Sequence, residues 1–144
     1  MHYDVQGVEL STWSSAYARE RLGLPVHTGT LNEAQLEPAS FDVVTLWDVI
    51  EHVPDPVPLL AEAARVLRPG GRLLVVDFAP HEQEFLREQF AHRRLGFAPE
   101  TVTQWITASG LEPVLHKSLA PEPGSDGKIA VSLWLARDTR ALMA

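Results

Sequence analysis

Phe41-Asp42-Val43-Val44-Thr45-Leu46-Trp47-Asp48-Val49-Ile50-Glu51-His52-Val53 decides how this chain is read. Val43 to Trp47 is nearly unbroken apolar sequence with two valines and a threonine, a composition that suits a strand buried on both faces of a parallel sheet. The polarity then changes abruptly. Asp48, Glu51 and His52 arrive together, and Pro54 and Pro56 stop regular structure. Ligands of open parallel sheets bind beyond the carboxyl ends of the strands, so this strand end is a candidate active-site edge. A solvated, capped turn accounts for these residues equally well.

Upstream, Val5 to Leu10 reads as a short strand that ends at Glu9. Ser11 offers an N-cap oxygen to a helix running to Leu22, and Gly23 suits its C-terminal cap. Pro25 to Thr28 is a brief second strand, closed by Gly29, and residues 30–40 are polar with at most one helical turn. Downstream, Asp55 caps a helix with Pro56 in its first turn. Leu59, Leu60, Ala63, Ala64 and Leu67 form its apolar face. Pro69-Gly70-Gly71 turns the chain into a buried strand, Arg72 to Phe78. A helix is expected between Glu82 and Arg94, and another from Pro99 to Gly110. A strand follows from Leu111 to His116, then a loop over 121–127. A last alternating strand, 129–136, reads as an edge or antiparallel element. The tail after Arg137 is expected to fray. Strands alternating with helices imply an α/β fold, a doubly wound, mostly parallel sheet with right-handed crossovers, in a single domain over 1–144.

The chain has 144 residues, 45% of them apolar, no cysteine and a formal net charge of −7. Disulfides, thiolate catalysis and cysteine–zinc sites are excluded. The negative charge argues against a nucleic-acid partner. No apolar run is long enough to span a bilayer and there is no signal-peptide pattern, so no membrane partner and a cytoplasmic location are expected. The basic cluster His92-Arg93-Arg94, with Arg87 upstream, reads as a solvated helix face able at most to hold one small anion.

The order strand, Asp48-Val49-Ile50-Glu51-His52-Val53-Pro54-Asp55-Pro56, helix, Val66-Leu67-Arg68-Pro69-Gly70-Gly71, strand resembles the class I S-adenosylmethionine-dependent methyltransferases, of the type 11 and type 12 kind. The resemblance implies a Rossmann-like fold, S-adenosylmethionine as cofactor and methyl transfer to a small-molecule acceptor. Gly7-Val8-Glu9-Leu10-Ser11 resembles the family's second strand, whose terminal acid binds the cofactor ribose. A carboxylate suits two vicinal hydroxyl donors. By this likeness Glu9 is the ribose ligand and Leu10 lines the adenine. Thr30 and Leu31 fall at the adenine, with Thr30 standing where many relatives have an acid. Trp47 and Asp48 fall at the methionine end.

Asp48, Glu51 and His52 are spaced i, i+3, i+4. The spacing resembles E-x-x-E-H of ubiquinone-pathway O-methyltransferases, where a divalent cation can sit near the acceptor. Taken by themselves these residues favour solvated carboxylates and a locally packed His52, so no metal is expected. His52 is also the candidate general base, because histidine titrates near neutrality. Residues 76–97 resemble methyltransferase domains found behind ArsR-type regulators, and Phe85, Phe90, His92 and Arg93 are candidates to shape an acceptor pocket.

The sequence departs from the family at its start. The family opens with a strand and a glycine-rich loop that approaches the cofactor, and this chain begins just before the second strand, N-terminally truncated relative to the family. The alternative function is therefore a non-catalytic remnant or binding module. Without the family's central strand, residues 5–10 are expected to pair directly with 41–47. Otherwise a second copy or a partner chain supplies the missing strand.

Overall fold

The computed structural model describes residues 2–90, 92–125 and 128–141. They form two compact units, residues 1–37 and 38–144, each described by itself.

The first unit is a β-α-β turn: β1 (Gly7–Glu9), α1 (Thr12–Leu22) and β2 (Val26–Thr28), with β1 and β2 parallel. The expected caps form. Ser11 accepts from the Ser14 N–H, and Gly23 takes the left-handed conformation (φ 66°) that lets the chain leave the helix. Arg19 ties the helix to β2 by donating to the carbonyl of Val26 and the hydroxyl of Thr28, both at 2.9 Å. Thr30 and Glu33 make a reciprocal capping box. The Thr30 N–H donates to Glu33 Oε2 at 2.7 Å, and the Glu33 N–H to Thr30 Oγ1 at 3.2 Å, which fixes the single helical turn expected there.

The second unit is a four-stranded sheet in the order β3-β4-β6-β5. Its strands are β3 (Phe41–Trp47), β4 (Leu67–Phe78), β5 (Glu112–Leu119) and β6 (Val131–Arg137), and its helices are α2 (Pro56–Val66), α3 (Phe85–Phe90) and α4 (Pro99–Ala108). β3 and β4 are parallel, and β6 is antiparallel to both β4 and β5, so only β6 runs against the rest. Helices α2 and α4 pack on each other and on the sheet, burying Leu60, Ala63, Val66, Val102 and Ile106.

Several expectations need correction. β3 is not buried on both faces. It is an edge strand of its sheet, with Val43 55% and Trp47 60% exposed and only Leu46 buried. The ladder expected between residues 5–10 and 41–47 is absent among the described residues: β1 pairs with β2, and β3 with β4. Pro69-Gly70-Gly71 does not precede β4 but lies inside it as a bulge. The register jumps from Phe41↔Leu67 to Val43↔Arg72, and Gly70 supplies the positive φ of 79°.

β6 is antiparallel as expected, but it is interior rather than an edge. Its better-buried phase is Ser132, Trp134 and Ala136, because Trp134 reaches the carbonyl of Pro99 at the start of α4. Among the described residues the tail is held through 138–141, and residues 142–144 lie outside the described residues. Arg140 donates to the carbonyls of Ala64 and Leu67, capping the C-terminal end of α2, and pairs with the buried Asp138.

The helix expected over 82–94 is only six residues long. Segment 92–97 is drawn away from helical geometry by bonds to the turn after β3. The Arg93 N–H donates to the Glu51 carbonyl at 2.9 Å and Arg93 Nε to that of His52 at 3.1 Å. The Arg94 guanidinium donates to the carbonyls of Val53 at 2.7 Å and Pro54 at 2.9 Å. The basic cluster is therefore structural glue. It is neither a solvated helix face nor an anion site.

Candidate active site

In the first unit, Glu9 ends β1 and is exposed, with its Oε1 held by the Ser11 N–H at 2.8 Å. That bond anchors the carboxylate at the strand end and leaves Oε2 pointing away from the anchor, as a diol ligand requires. Leu10 beside it is exposed. Thr30 does not offer a free hydroxyl. Its Oγ1 donates to Glu33 Oε2 at 2.9 Å. Bonds from the Thr30 N–H and hydroxyl hold the Glu33 carboxyl below its ordinary range. Leu31 is half-buried.

In the second unit, β3 ends at Trp47 and the chain turns sharply. Asp48 takes φ 50°, a left-handed conformation uncommon for a residue with a Cβ, and its N–H is held by the carbonyl of Val76 at 3.0 Å. The 3₁₀ turn Ile50–His52 follows. It drives Ile50 and Glu51 inward, both with no exposure, and leaves the His52 side chain 38% exposed. Here the capped, solvated turn is excluded: Glu51 is wholly inside.

Two residues not assigned to this site from sequence join it. Asp77, in β4, is fully buried, and His92 is buried too. The His92 ring meets the His52 ring edge-on at 4.7 Å and stacks on Phe78 at 5.8 Å. His52 Nε2 lies 3.5 Å from Glu51 Oε1. One oxygen each of Asp48, Glu51 and Asp77 lie within 4.8 Å of one another, as do donor atoms of Glu51, His52 and His92. Both oxygens of Glu51, Oδ2 of Asp77 and Nδ1 of His92 are buried with no hydrogen-bond partner. Burial, and then the neighbouring Glu51 carboxyl, push the Asp77 carboxyl up to about 9. Burial also raises Glu51. His92 is lowered by burial and then by His52.

The sequence held a signal for Asp77. It is the one acid in the otherwise apolar run Leu73 to Phe78, at a carboxyl strand end. His92 is expected from sequence only at an acceptor pocket; its place in this buried cluster depends on the arginines that fold segment 92–97 back.

Phe85, Phe90, His92 and Arg93, expected to shape an acceptor pocket, do not line the depression described below. Phe85 and Phe90 are exposed and pack edge-to-face at 6.3 Å, and His92 belongs to the buried cluster. A depression of about 790 Å³ lies instead beside His81, Glu84, Arg87, Arg94, Phe97 and Trp105. Arg94 lies over the Trp105 ring at 5.3 Å, and Gly96, which lines the depression, lies close against the backbone of Ala79.

A β-α-β unit and a parallel pair that ends in a turn rich in acids and histidines define an α/β protein of Rossmann-like type. The family described as methyltransferase domain matches residues 1–75, and this chain belongs to it. The ubiquinone biosynthesis O-methyltransferase of Xanthomonas euvesicatoria pv. vesicatoria is 30% identical over 89 residues. That match covers 53% of this chain and 37% of the relative. An uncharacterized 37.1 kDa protein in a Streptomyces fradiae transposon is 43% identical over 75 residues, covering 49% of this chain and 22% of that protein. The chain thus spans well under half of these curated relatives. Among solved structures, a SAM-dependent methyltransferase from Thermotoga maritima superposes with a TM-score of 0.74 at 26% identity, over 94% of this chain and 72% of that one. One from Methanosarcina mazei has a TM-score of 0.74 at 16% identity, over 93% and 81%. The [4+2]-cyclase SpnF shares the fold equally well, with a TM-score of 0.74 at 16% identity over 94% and 67%, so the fold by itself does not name the reaction. Among the described residues no helix is long and apolar enough to cross a membrane.

Proposed function

We propose that this chain carries out S-adenosylmethionine-dependent methyl transfer to a small-molecule acceptor. The observation that carries the reading is the end of β3: a left-handed Asp48, then a turn that presents His52 at the surface over a buried carboxyl. This is the carboxyl end of a parallel pair, where open α/β sheets place their chemistry.

The residues fit the cofactor's chemistry. Glu9, anchored through one oxygen, accepts from the ribose hydroxyls, and Leu10 lines the adenine. Thr30 and Leu31 border the adenine, with the Glu33 carboxylate as the acceptor for its amine. Trp47 and Asp48 hold the methionine end. When bound, S-adenosylmethionine supplies an electrophilic methyl on a sulfonium. The protein's own task is to align the acceptor and take its proton. His52, partly exposed, is the base. No metal is assigned, and a second copy or partner chain covering the free edge of β3 fits the exposure of Val43 and Trp47.

The test is turnover. With S-adenosylmethionine and a panel of small phenols and amines, mass spectrometry should detect S-adenosylhomocysteine released in step with a methylated product, and His52→Ala should lower that rate by 10²-fold or more, the usual contribution of a general base being about 10²–10⁴. Cofactor binding with no product for any acceptor would favour the alternative, a binding module.

A further inference from the structure

Glu51 and Asp77 present a problem that the functional reading does not absorb. Both carboxyls are fully buried, and three of their four oxygens have no hydrogen-bond donor. Only Asp77 Oδ1 has one, the Phe78 N–H at 2.8 Å. Two ionised carboxylates at such a place would repel each other and lack solvation. The groups that face them offer little relief. Asp48 adds a third carboxylate from the end of β3. His52 is the basic group nearest Glu51, at 3.5 Å. His92 packs on His52, and His81 meets the opposite side of Phe78. Arg93 Nε and both Nη groups of Arg94 donate to backbone carbonyls of the turn. From β6, Ser132 stands opposite Asp77 and bonds to His116.

A single proton resolves this. As two carboxylates the pair has acceptors and no donor. As one acid and one carboxylate it has an O–H to give and an oxygen to receive it. We propose that Glu51 and Asp77 hold one proton between them, so that the pair presents a single negative charge beside His52, the residue that takes the proton of the methyl acceptor. The last clause rests on the methyl-transfer reading; the shared proton does not. With the shared proton, the acceptor's X–H gives its proton to His52 as the methyl arrives. The resulting imidazolium is then balanced by the pair's one charge. Glu51 and Asp77 are thus positioning residues that act through His52. Burial, which raises both carboxyls, agrees with this.

The test is stability against pH, by denaturant unfolding. The native state keeps a proton that the unfolded chain loses above its ordinary carboxylate range. Stability should therefore fall as pH rises toward about 9, by up to about tenfold in the folding constant per pH unit, the limit for one proton. Asp77→Asn should flatten this slope, because its amide donates to Glu51 with no proton to lose. Glu51→Gln should flatten it in the same way. Either variant tests the slope if the other fails to fold. A wild-type stability that does not fall with pH would overturn the proposal. So would a divalent-cation-dependent rise in melting temperature that Asp77→Asn abolishes, because that outcome requires ionised carboxylates around an ion. The expected slopes without any methyl transfer would overturn the functional reading and leave the shared proton standing.

Discussion

Arg94 reaches 41 residues back along the chain and donates to the carbonyl of Val53 at 2.7 Å. Its second donor goes to Pro54, and its plane covers Trp105. One side chain thus fastens the turn that carries Glu51 and His52 to the segment that carries His92. Arg94→Ala should destabilise the protein by about 2–3 kcal/mol, the range for charged hydrogen bonds lost from a part-buried site. Arg94→Lys should recover only part of this, because an ammonium lacks the planar fork. Chemical denaturation of the three proteins checks both statements.

Asp48 is strained at a proposed cofactor contact. Its φ of 50° costs a residue with a Cβ energy that glycine does not lose. Asp48→Gly should raise stability by up to about 1 kcal/mol while weakening S-adenosylhomocysteine binding. Thermal melts and calorimetry on the same preparation read both. A variant that loses stability and keeps full affinity would show that Asp48 is placed there for packing alone.

Much of this arrangement was legible in the sequence wherever local chemistry decides. β3 runs from Phe41 to Trp47 as its composition indicates, Ser11 and Asp55 cap the helices they precede, and Gly23 ends α1. What failed depends on distant residues. Val43, Thr45 and Trp47 are exposed because they share one face of β3 while Leu46 on the other is buried, and no strand's own pattern records which face is covered. The short α3 follows from Arg93 and Arg94 finding carbonyls near residue 52. Glu51, Asp77 and His92 are far apart in sequence; the packing of β4 against the turn brings in Asp77, and the bonds from Arg93 and Arg94 bring in His92.

The end of the chain should matter for stability. Burial pushes the Asp138 carboxyl upward, but bonds from Arg140 win, and it stays below its ordinary value. A carboxyl lowered in the folded state contributes stability above its unfolded value, and that stability is lost as pH falls through the folded one. Arg140→Ala should therefore cost about 2 kcal/mol at neutral pH, with the deficit shrinking in acid. Urea unfolding at pH 7 and pH 3 measures it. An equal deficit at both would show that Arg140 acts only through its bonds to Ala64 and Leu67.

Gly96 holds segment 92–97 against the loop after β4. A Cβ there would lie 2.1 Å from the carbonyl oxygen of Ala79, and the backbone has φ 78°. Gly96→Ala should cost more than about 2 kcal/mol, since backbone must move and the conformation is strained. It should also broaden the His92 and His52 NMR signals, because their segment loses its anchor.

Calorimetric titration with S-adenosylhomocysteine tests the central claim most directly. The account predicts micromolar, saturable binding by the wild-type chain, abolished by Glu9→Ala. No heat of binding at millimolar ligand, or binding that Glu9→Ala leaves intact, would contradict it.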